Sequence, residues 1–292
     1  MKKVFITGIE GFTGSYLANS FKAKGYQVYG SSKSAKSSKD VFTCDILDTN
    51  KLSKIIQKVG PNFVVHLAAN AFVNTKDVNA LYNVNLLGTN SLLQAVVSAN
   101  VECNKILLVS SANIYGDSSE SPIDENAPIN LKNHYAASKR MMEMSAELFS
   151  SLPIVIARPF NYTGLGQDNK FLIPKVVEHF KSKSPVIELG NIDVYRDFSD
   201  VRDLVSSYVR LLESEADSGI FNFCSGKETS IKEVISILED ISQHKVEVKI
   251  NPEFVRENEI KSLVGCENKL RAVIGDTSKH SLKETLEWMY LN

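Results

Sequence analysis

The sequence predicts an α/β fold: a doubly wound parallel sheet with a smaller, interleaved C-terminal region. Three observations lead there. Short, nearly continuous apolar runs alternate with helical periodicity through the first half, the pattern of strands buried on both faces. The first run, Val4-Phe5-Ile6, passes directly into glycines at Gly8, Gly11 and Gly14 and then into a helical pattern. Beyond Pro159 the rhythm breaks at Gly164, Gly166, Pro174, Pro185 and Gly190.

Taken in order, Tyr16, Leu17 and Phe21 recur at helical spacing, and Gly25 stops that helix. Residues 27–29 form a second strand, and a loop rich in serine and lysine follows over 31–39. Residues 41–44 suit a third strand, after which Asp48 or Thr49 caps a helix running to Val59. Strands over 63–67, 105–109 and 154–157 alternate with helices over 81–99 and 135–149. Further along, Asp200-Val201-Arg202-Asp203 leads into a packed helix with Leu204, Tyr208 and Leu211. Short strands at 220–222 and 246–248, with helices near 231–241 and 282–289, complete a smaller second unit. Residues 1–160 should therefore build a domain of Rossmann type, with a segment near 191–215 returning to it. Residues 161–292 should mainly cover the carboxyl ends of its strands, where ligands bind in such sheets.

Composition narrows the function classes. The 292 residues carry a formal net charge of -1 with the charges scattered, which leaves no basic stripe for nucleic acid. Cys44, Cys103, Cys224 and Cys266 are isolated, with no CxxC and no paired histidines. That argues against a structural metal site and for a reducing, cytoplasmic setting. No apolar run approaches membrane-spanning length, and the early glycines leave no room for a signal peptide.

The chemistry begins at the glycine turn. A strand that turns sharply into a helix gathers unpaired N–H groups and the positive helix end where a dinucleotide diphosphate can sit. After the second strand, Tyr29-Gly30-Ser31-Ser32-Lys33 offers no acid for ribose hydroxyls. Hydroxyls and an ammonium there suit a 2′-phosphate, so NADPH is expected ahead of NADH; a solvated loop is the competing reading. Asp45 and Ile46 sit where a carboxylate can edge an adenine and an aliphatic chain can pack on it, although Asp45 could equally cap a helix. Ser110-Ser111-Ala112-Asn113 follows a strand, and Tyr135-Ala136-Ala137-Ser138-Lys139 opens a helix. Residues four apart share a helix face, so the Tyr135 phenol and the Lys139 ammonium point the same way. A neighbouring cation brings a phenol down towards the working pH, and a serine hydroxyl can hold an oxygen on which charge develops.

Thr7-Gly8-x-x-Gly11-x-x-Gly14, His66-Leu67-Ala68-Ala69, Asn85-x-x-Gly88-Thr89, Ser111, Tyr135-x-x-x-Lys139 and Arg158-Pro159-Phe160-Asn161 occur in that order. In this the chain resembles the extended short-chain dehydrogenase/reductases of the nucleotide-sugar epimerase/dehydratase group, nearly end to end. The resemblance implies a catalytic set of Ser111, Tyr135 and Lys139. It implies NAD(P) held by Gly8, Gly11, Phe12, Thr13, Gly14, Leu67, Ala68, Ala69, Asn85 and Phe160, together with Tyr135 and Lys139. It also implies a nucleoside diphosphate sugar in the C-terminal region, and a homodimer paired through the 135–149 helix and the one around Leu86–Val97. The family's 4,6-dehydratases carry an acidic pair after the catalytic hydroxyl residue, where this chain has Ala112 and Asn113, neither able to act as acid or base. Segments 158–167, 190–203 and 255–270 resemble the GDP-4-keto-6-deoxy-D-mannose reductase branch. That likeness implies substrate contacts from Ser111, Ala112, Asn113, Asn161, Arg196, Arg256 and Glu259. The two arginines could fork onto a diphosphate and Glu259 could take ribose hydroxyls, or each arginine could serve a structural ion pair. Lys170 and the residues after Ser111 depart from that branch, which leaves a dTDP-linked sugar or C4 epimerisation as alternatives, with a non-catalytic NADPH-binding sensor as the reading from another class. Met141, Met142, Met144 and Leu148 read most simply as core or packing residues.

Overall fold

The computed structural model describes residues 1–34, 38–73, 77–216, 218–255 and 259–292. In chain order the first elements are β1 (Lys3–Thr7), α1 (Phe12–Ala23), β2 (Gln27–Ser32), β3 (Val41–Thr43), α2 (Thr49–Val59), β4 (Phe63–His66), α3 (Val78–Tyr82), α4 (Gly88–Ala99), β5 (Lys105–Val109), α5 (His134–Ala146) and β6 (Ile154–Pro159). There follow β7 (Asn161–Thr163), α6 (Leu172–Lys181), β8 (Val186–Leu189), β9 (Tyr195–Asp200), α7 (Val201–Glu213), β10 (Gly219–Phe223), β11 (Glu228–Ser230), α8 (Ile231–Ser242), β12 (Glu247–Ile250), β13 (Ser262–Leu263), α9 (Asn268–Ile274) and α10 (Leu282–Leu291).

Seven strands make one parallel sheet in the order β10-β6-β5-β4-β1-β2-β3. The apolar runs read from the sequence are buried because helices cover both faces. One face packs Leu17 and Phe21 of α1 with Val205, Tyr208 and Leu212 of α7; the other packs Leu52 and Ile56 of α2 with Leu92, Leu93 and Val96 of α4 and Met142 of α5. The order reverses between β1 and β4, so the chain diverges there and leaves a crevice beyond their carboxyl ends. A separate core of α6, α8 and α10, with Ile187, Leu189 and Phe198 from the strands, holds the smaller sheets. In those, β9 lies between β11 and β13 and also pairs with β7, while β12 pairs with β8.

Local sequence sets the helix ends. The Asp48 carboxylate accepts the Lys51 N–H at 3.0 Å, and Gly60 in the left-handed conformation closes α2. Capping boxes start α8 (Ser230, Glu233) and α10 (Ser281, Glu284).

Three expectations are corrected. The strand at 220–222, assigned to the smaller unit, lies at the edge of the main sheet as β10, paired with β6. A short apolar run does not state its partner; only burial against α7 and α9 selects it. The helix expected over 81–99 is α3, a π turn at Asn83–Leu87 and then α4. Hydrophobic periodicity cannot register one widened turn, which occurs preferentially at functional sites. Of the methionine band only Met142 is core; Met141 and Met144 on α5, and Leu148 just past its end, are exposed.

Candidate active site

Gly8 adopts φ +69°, and a Cβ there would stand 2.9 Å from the Ala68 nitrogen. A Cβ on Gly14 would stand 2.3 Å from the Gly8 carbonyl oxygen, so α1 seats itself directly on the turn. Gly11 caps α1 with no side-chain hydrogen bond, which leaves the first-turn N–H groups to a ligand. A cradle that a single Cβ would fill, under an uncapped helix end, fits a dinucleotide diphosphate. The cavity beginning there measures about 1310 Å³. That exceeds the roughly 300–1,000 Å³ of one small-molecule site and leaves room for two ligands.

Gly8, Gly11, Phe12, Thr13, Gly14, Leu67, Ala69, Ser111, Asn113, Tyr135, Lys139, Phe160, Asn161, Arg196 and Glu259 all line that cavity. Ser111 sits just past β5 in extended conformation, and its hydroxyl accepts from the Asn113 N–H and amide, each at 3.2 Å. Asn133 caps α5 by accepting the Ala136 N–H at 2.8 Å, which presents Tyr135 and Lys139 from the first turns. Burial pushes the Tyr135 phenol up to about 12, against a lowering hydrogen bond with Ser111. Burial also brings Lys139 down to about 8, opposed by Glu143 one turn on. The Lys139 ammonium donates to the Val109 carbonyl at 2.7 Å. The expectation that Lys139 lowers the Tyr135 pKa is therefore corrected. In this structure the cation is engaged by backbone, desolvation prevails, and Tyr135 is held protonated.

A buried polar chain joins the glycine turn to the Tyr135 helix. The Thr89 hydroxyl donates to the Asn85 carbonyl at 2.7 Å, so towards His66 Nε2, 2.9 Å away, it can only accept. His66 Nδ1, 2.7 Å from the Thr7 hydroxyl, is then the acceptor. Burial, with Lys139 nearby, pushes His66 down to about 3 and keeps it neutral. Asn85, carried by the π turn, accepts from the Asn70 N–H at 2.9 Å and donates to the Asn70 carbonyl (3.1 Å) and the Ser138 hydroxyl (3.0 Å). It thus anchors the backbone at Asn70 and does not line the cavity, where the resemblance had set it against the coenzyme. Ser138 in turn donates to the Tyr135 carbonyl at 2.8 Å.

Other expected residues lie apart from the cavity. Ala112 is 1% exposed and packs in a core cluster with Tyr115 and Phe160, because the 3₁₀ turn Ala112–Tyr115 rotates it inward; its substrate role is withdrawn. Ile46 is buried against Gly88, 2.8 Å from where that residue's Cβ would stand. Ala68 donates its N–H to Thr7 at 3.2 Å. The Ser31 carbonyl accepts the Gly8 N–H at 2.8 Å, so the end of β2 adjoins the turn. There Lys33 and Asp45, expected to meet different parts of a coenzyme, pair with each other at 3.0 Å beside Ser32. In the far half of the cavity Arg196 and Glu259 approach to 4.0 Å, and Glu259 Oε2 is buried with no partner among the described residues. Arg256 lies outside the described residues.

Comparison with known proteins agrees with this geometry. The family described as GDP-mannose 4,6 dehydratase matches residues 5–289. The chain belongs to this family. It is similar to the GDP-6-deoxy-D-talose 4-dehydrogenase of Aggregatibacter actinomycetemcomitans, 34% identical over 99% of this chain and 97% of that one. It is also similar to the GDP-6-deoxy-D-mannose reductase of Pseudomonas aeruginosa, 30% identical over 98% and 95%. The structure of RMD from Pseudomonas aeruginosa complexed with NADPH superposes with a TM-score of 0.88, at 29% identity, covering 100% of this chain and 98% of that chain. As a member of this family the chain is an NAD(P)-dependent oxidoreductase. Among the described residues no helix is long and apolar enough to cross a membrane, and no group of His, Cys, Asp or Glu could hold a metal ion.

The buried networks of two residues within segments 158–167 and 190–203 escaped the sequence reading. Asp197, fully buried on β9, accepts from the Ser225 N–H and hydroxyl (both 2.7 Å), the Gly226 N–H (2.8 Å) and the Gly265 N–H (3.3 Å). It thereby fixes the strand that presents Arg196. Arg158 forks onto Glu143 at 3.0 and 2.8 Å and donates to the Tyr115 hydroxyl at 2.9 Å, which pins β6 to α5 behind Lys139. Neither network shows in spacing along the chain, since its members stand 15 to 68 residues apart.

Proposed function

We propose that this protein reduces the C4 ketone of a GDP-linked 4-keto-6-deoxyhexose with NADPH. The observation that supports it best is one cavity lined by Ser111, Tyr135 and Lys139 at one end and Arg196 and Glu259 at the other, with the glycine turn opening into it. Residues 1–160 hold the coenzyme, and the segments around β9 and Glu259 hold the sugar nucleotide. When bound, the coenzyme supplies hydride to the carbonyl carbon. Tyr135, kept protonated by burial, gives its phenolic proton to the oxygen as negative charge grows there. Ser111 hydrogen-bonds the same oxygen, and Asn113 orients the Ser111 hydroxyl from both its backbone and its amide. Lys139 adds positive charge and binds the nicotinamide ribose. Arg196 meets the diphosphate, and the unpartnered Oε2 of Glu259 accepts ribose hydroxyls. Dehydration is disfavoured, because Asn113 and Ala112 bring no acid or base to the sugar.

NADPH is favoured over NADH because β2 ends in Ser31 and Ser32, with Lys33 rather than an acid following. The Lys33–Asp45 pair is exposed enough to exchange its partner for a phosphate at little cost. The deciding assay sets GDP- and dTDP-linked 4-keto-6-deoxy sugars against both coenzymes, with product configuration read by NMR. Stoichiometric NADPH consumption with the GDP-linked sugar is expected. C4 epimers interconverting without net coenzyme use, or a preference for the dTDP sugar, would overturn the reading.

Met141 and Met144 on α5 and Leu148 just past its end are exposed apolar side chains, with Leu87 and Val97 exposed on the neighbouring helical segment. The homodimer implied by the family likeness would cover them. Sedimentation should give twice the 32.4 kDa chain mass, and Met144→Glu should shift it to the monomer; a monomeric wild-type protein would exclude this role.

A further inference from the structure

The segment after β6 is fastened to the first turns of α1, the helix whose N-terminus faces the diphosphate cradle. The Tyr162 hydroxyl lies 2.9 Å from Thr13 Oγ1. The Tyr162 ring stacks on Phe12, with centroids 6.2 Å apart and planes 10° from parallel. The Tyr16 hydroxyl donates to the Leu165 carbonyl at 2.7 Å. The segment is also braced internally: Gln167 donates its amide to the Tyr162 carbonyl at 3.2 Å and accepts from the Thr163 hydroxyl at 2.8 Å. On its far side β7 pairs with β9, Tyr162 beside Ser199, and β9 carries Arg196 into the other half of the cavity. Tyr162 therefore touches the coenzyme end through Thr13 and the sugar-nucleotide end through β9.

We propose that the Thr13–Tyr162 hydrogen bond is a positioning contact that couples the two ligands, so that filling the coenzyme half strengthens binding of the sugar nucleotide. This rests on the guanosine reading above. A diphosphate taken up by the first-turn N–H groups fixes the backbone of Thr13. Its hydroxyl then holds Tyr162, and through the β7–β9 pairing the strand of Arg196 is held as well. Ordering achieved by the first ligand does not have to be repeated by the second, which is positive cooperativity, and it is reciprocal.

Isothermal titration of GDP, with the protein alone and saturated with NADP⁺, tests this without turnover. The wild-type protein should bind GDP roughly five- to tenfold more tightly with NADP⁺ present, within the usual span of such couplings. Tyr162→Phe keeps the ring and its stack on Phe12 but loses the hydroxyl, and should bring that ratio to about one. Thr13→Val removes the bond from its other end and should do the same, and the double variant should show no further loss. Thermal unfolding checks that each variant is folded. An unchanged ratio in a folded Tyr162→Phe protein, or no coupling in the wild type, would overturn the proposal. Failure of GDP to bind at all would overturn the guanosine reading, and the coupling with it.

Discussion

Tyr135→Phe should lower kcat on the order of 10³-fold while coenzyme titration stays as in the wild type, which is the scale of a lost general acid. The phenol is the proton source in the proposed step, and it lies at the start of a helix whose cap and packing do not use the hydroxyl. Removing one oxygen therefore changes the chemistry more than the fold. Turnover within about tenfold of wild type would sink the assignment, since that is far less than acid catalysis supplies. The same site carries a pH signature. Lys139 titrates at about 8 in the folded protein because burial disfavours its charge. Activity should then fall along one descending limb as the pH rises through that value, seen in kcat/KM for the coenzyme. Tyr135, at about 12, stays protonated across the range and adds no limb. For stability the sign is reversed. The folded pKa of Lys139 lies below its ordinary 10.5, so between about 8 and 10.5 the unfolded chain binds more protons and this group's contribution to stability rises with pH.

Gly14→Ala should abolish useful coenzyme binding. The added methyl would stand 2.3 Å from the Gly8 oxygen and 2.7 Å from the Ile9 oxygen, and neither is a side chain that can swing away. Either α1 lifts from β1 or the turn opens, and both withdraw the N–H groups from the diphosphate. An affinity loss of about 100-fold is expected, which corresponds to roughly 3 kcal/mol. Thermal stability should fall as well, by the roughly 1–3 kcal/mol typical of an overfilled site. Coenzyme affinity equal to wild type in a Gly14→Ala protein would mean that the diphosphate lies elsewhere.

Much of this architecture was legible in the chain because its signals are local. A buried strand, a glycine turn and the Tyr135–Lys139 spacing each depend on residues close in sequence. The π turn was not legible, since it replaces one helical turn by another without altering the apolar pattern. Neither was the inward rotation of Ala112, which depends on what Tyr115 and Phe160 pack against. The direction of the Tyr135 shift was misjudged for a related reason. Helical spacing places Lys139 on the same face, but only the fold shows that its ammonium turns to Val109 and that both groups are buried.

By itself the sequence determined the parallel sheet, the glycine turn after β1 and the placing of Tyr135 and Lys139 on one helix face, because each follows from short-range sterics and periodicity. Tertiary structure alone decided that β10 closes the sheet edge, that Lys33 meets Asp45, and that Asp197 clamps the strand of Arg196. It also decided that Tyr162 reaches Thr13 across a separation of 149 positions. Such contacts depend on which elements the hydrophobic core brings face to face, and no local pattern records that choice.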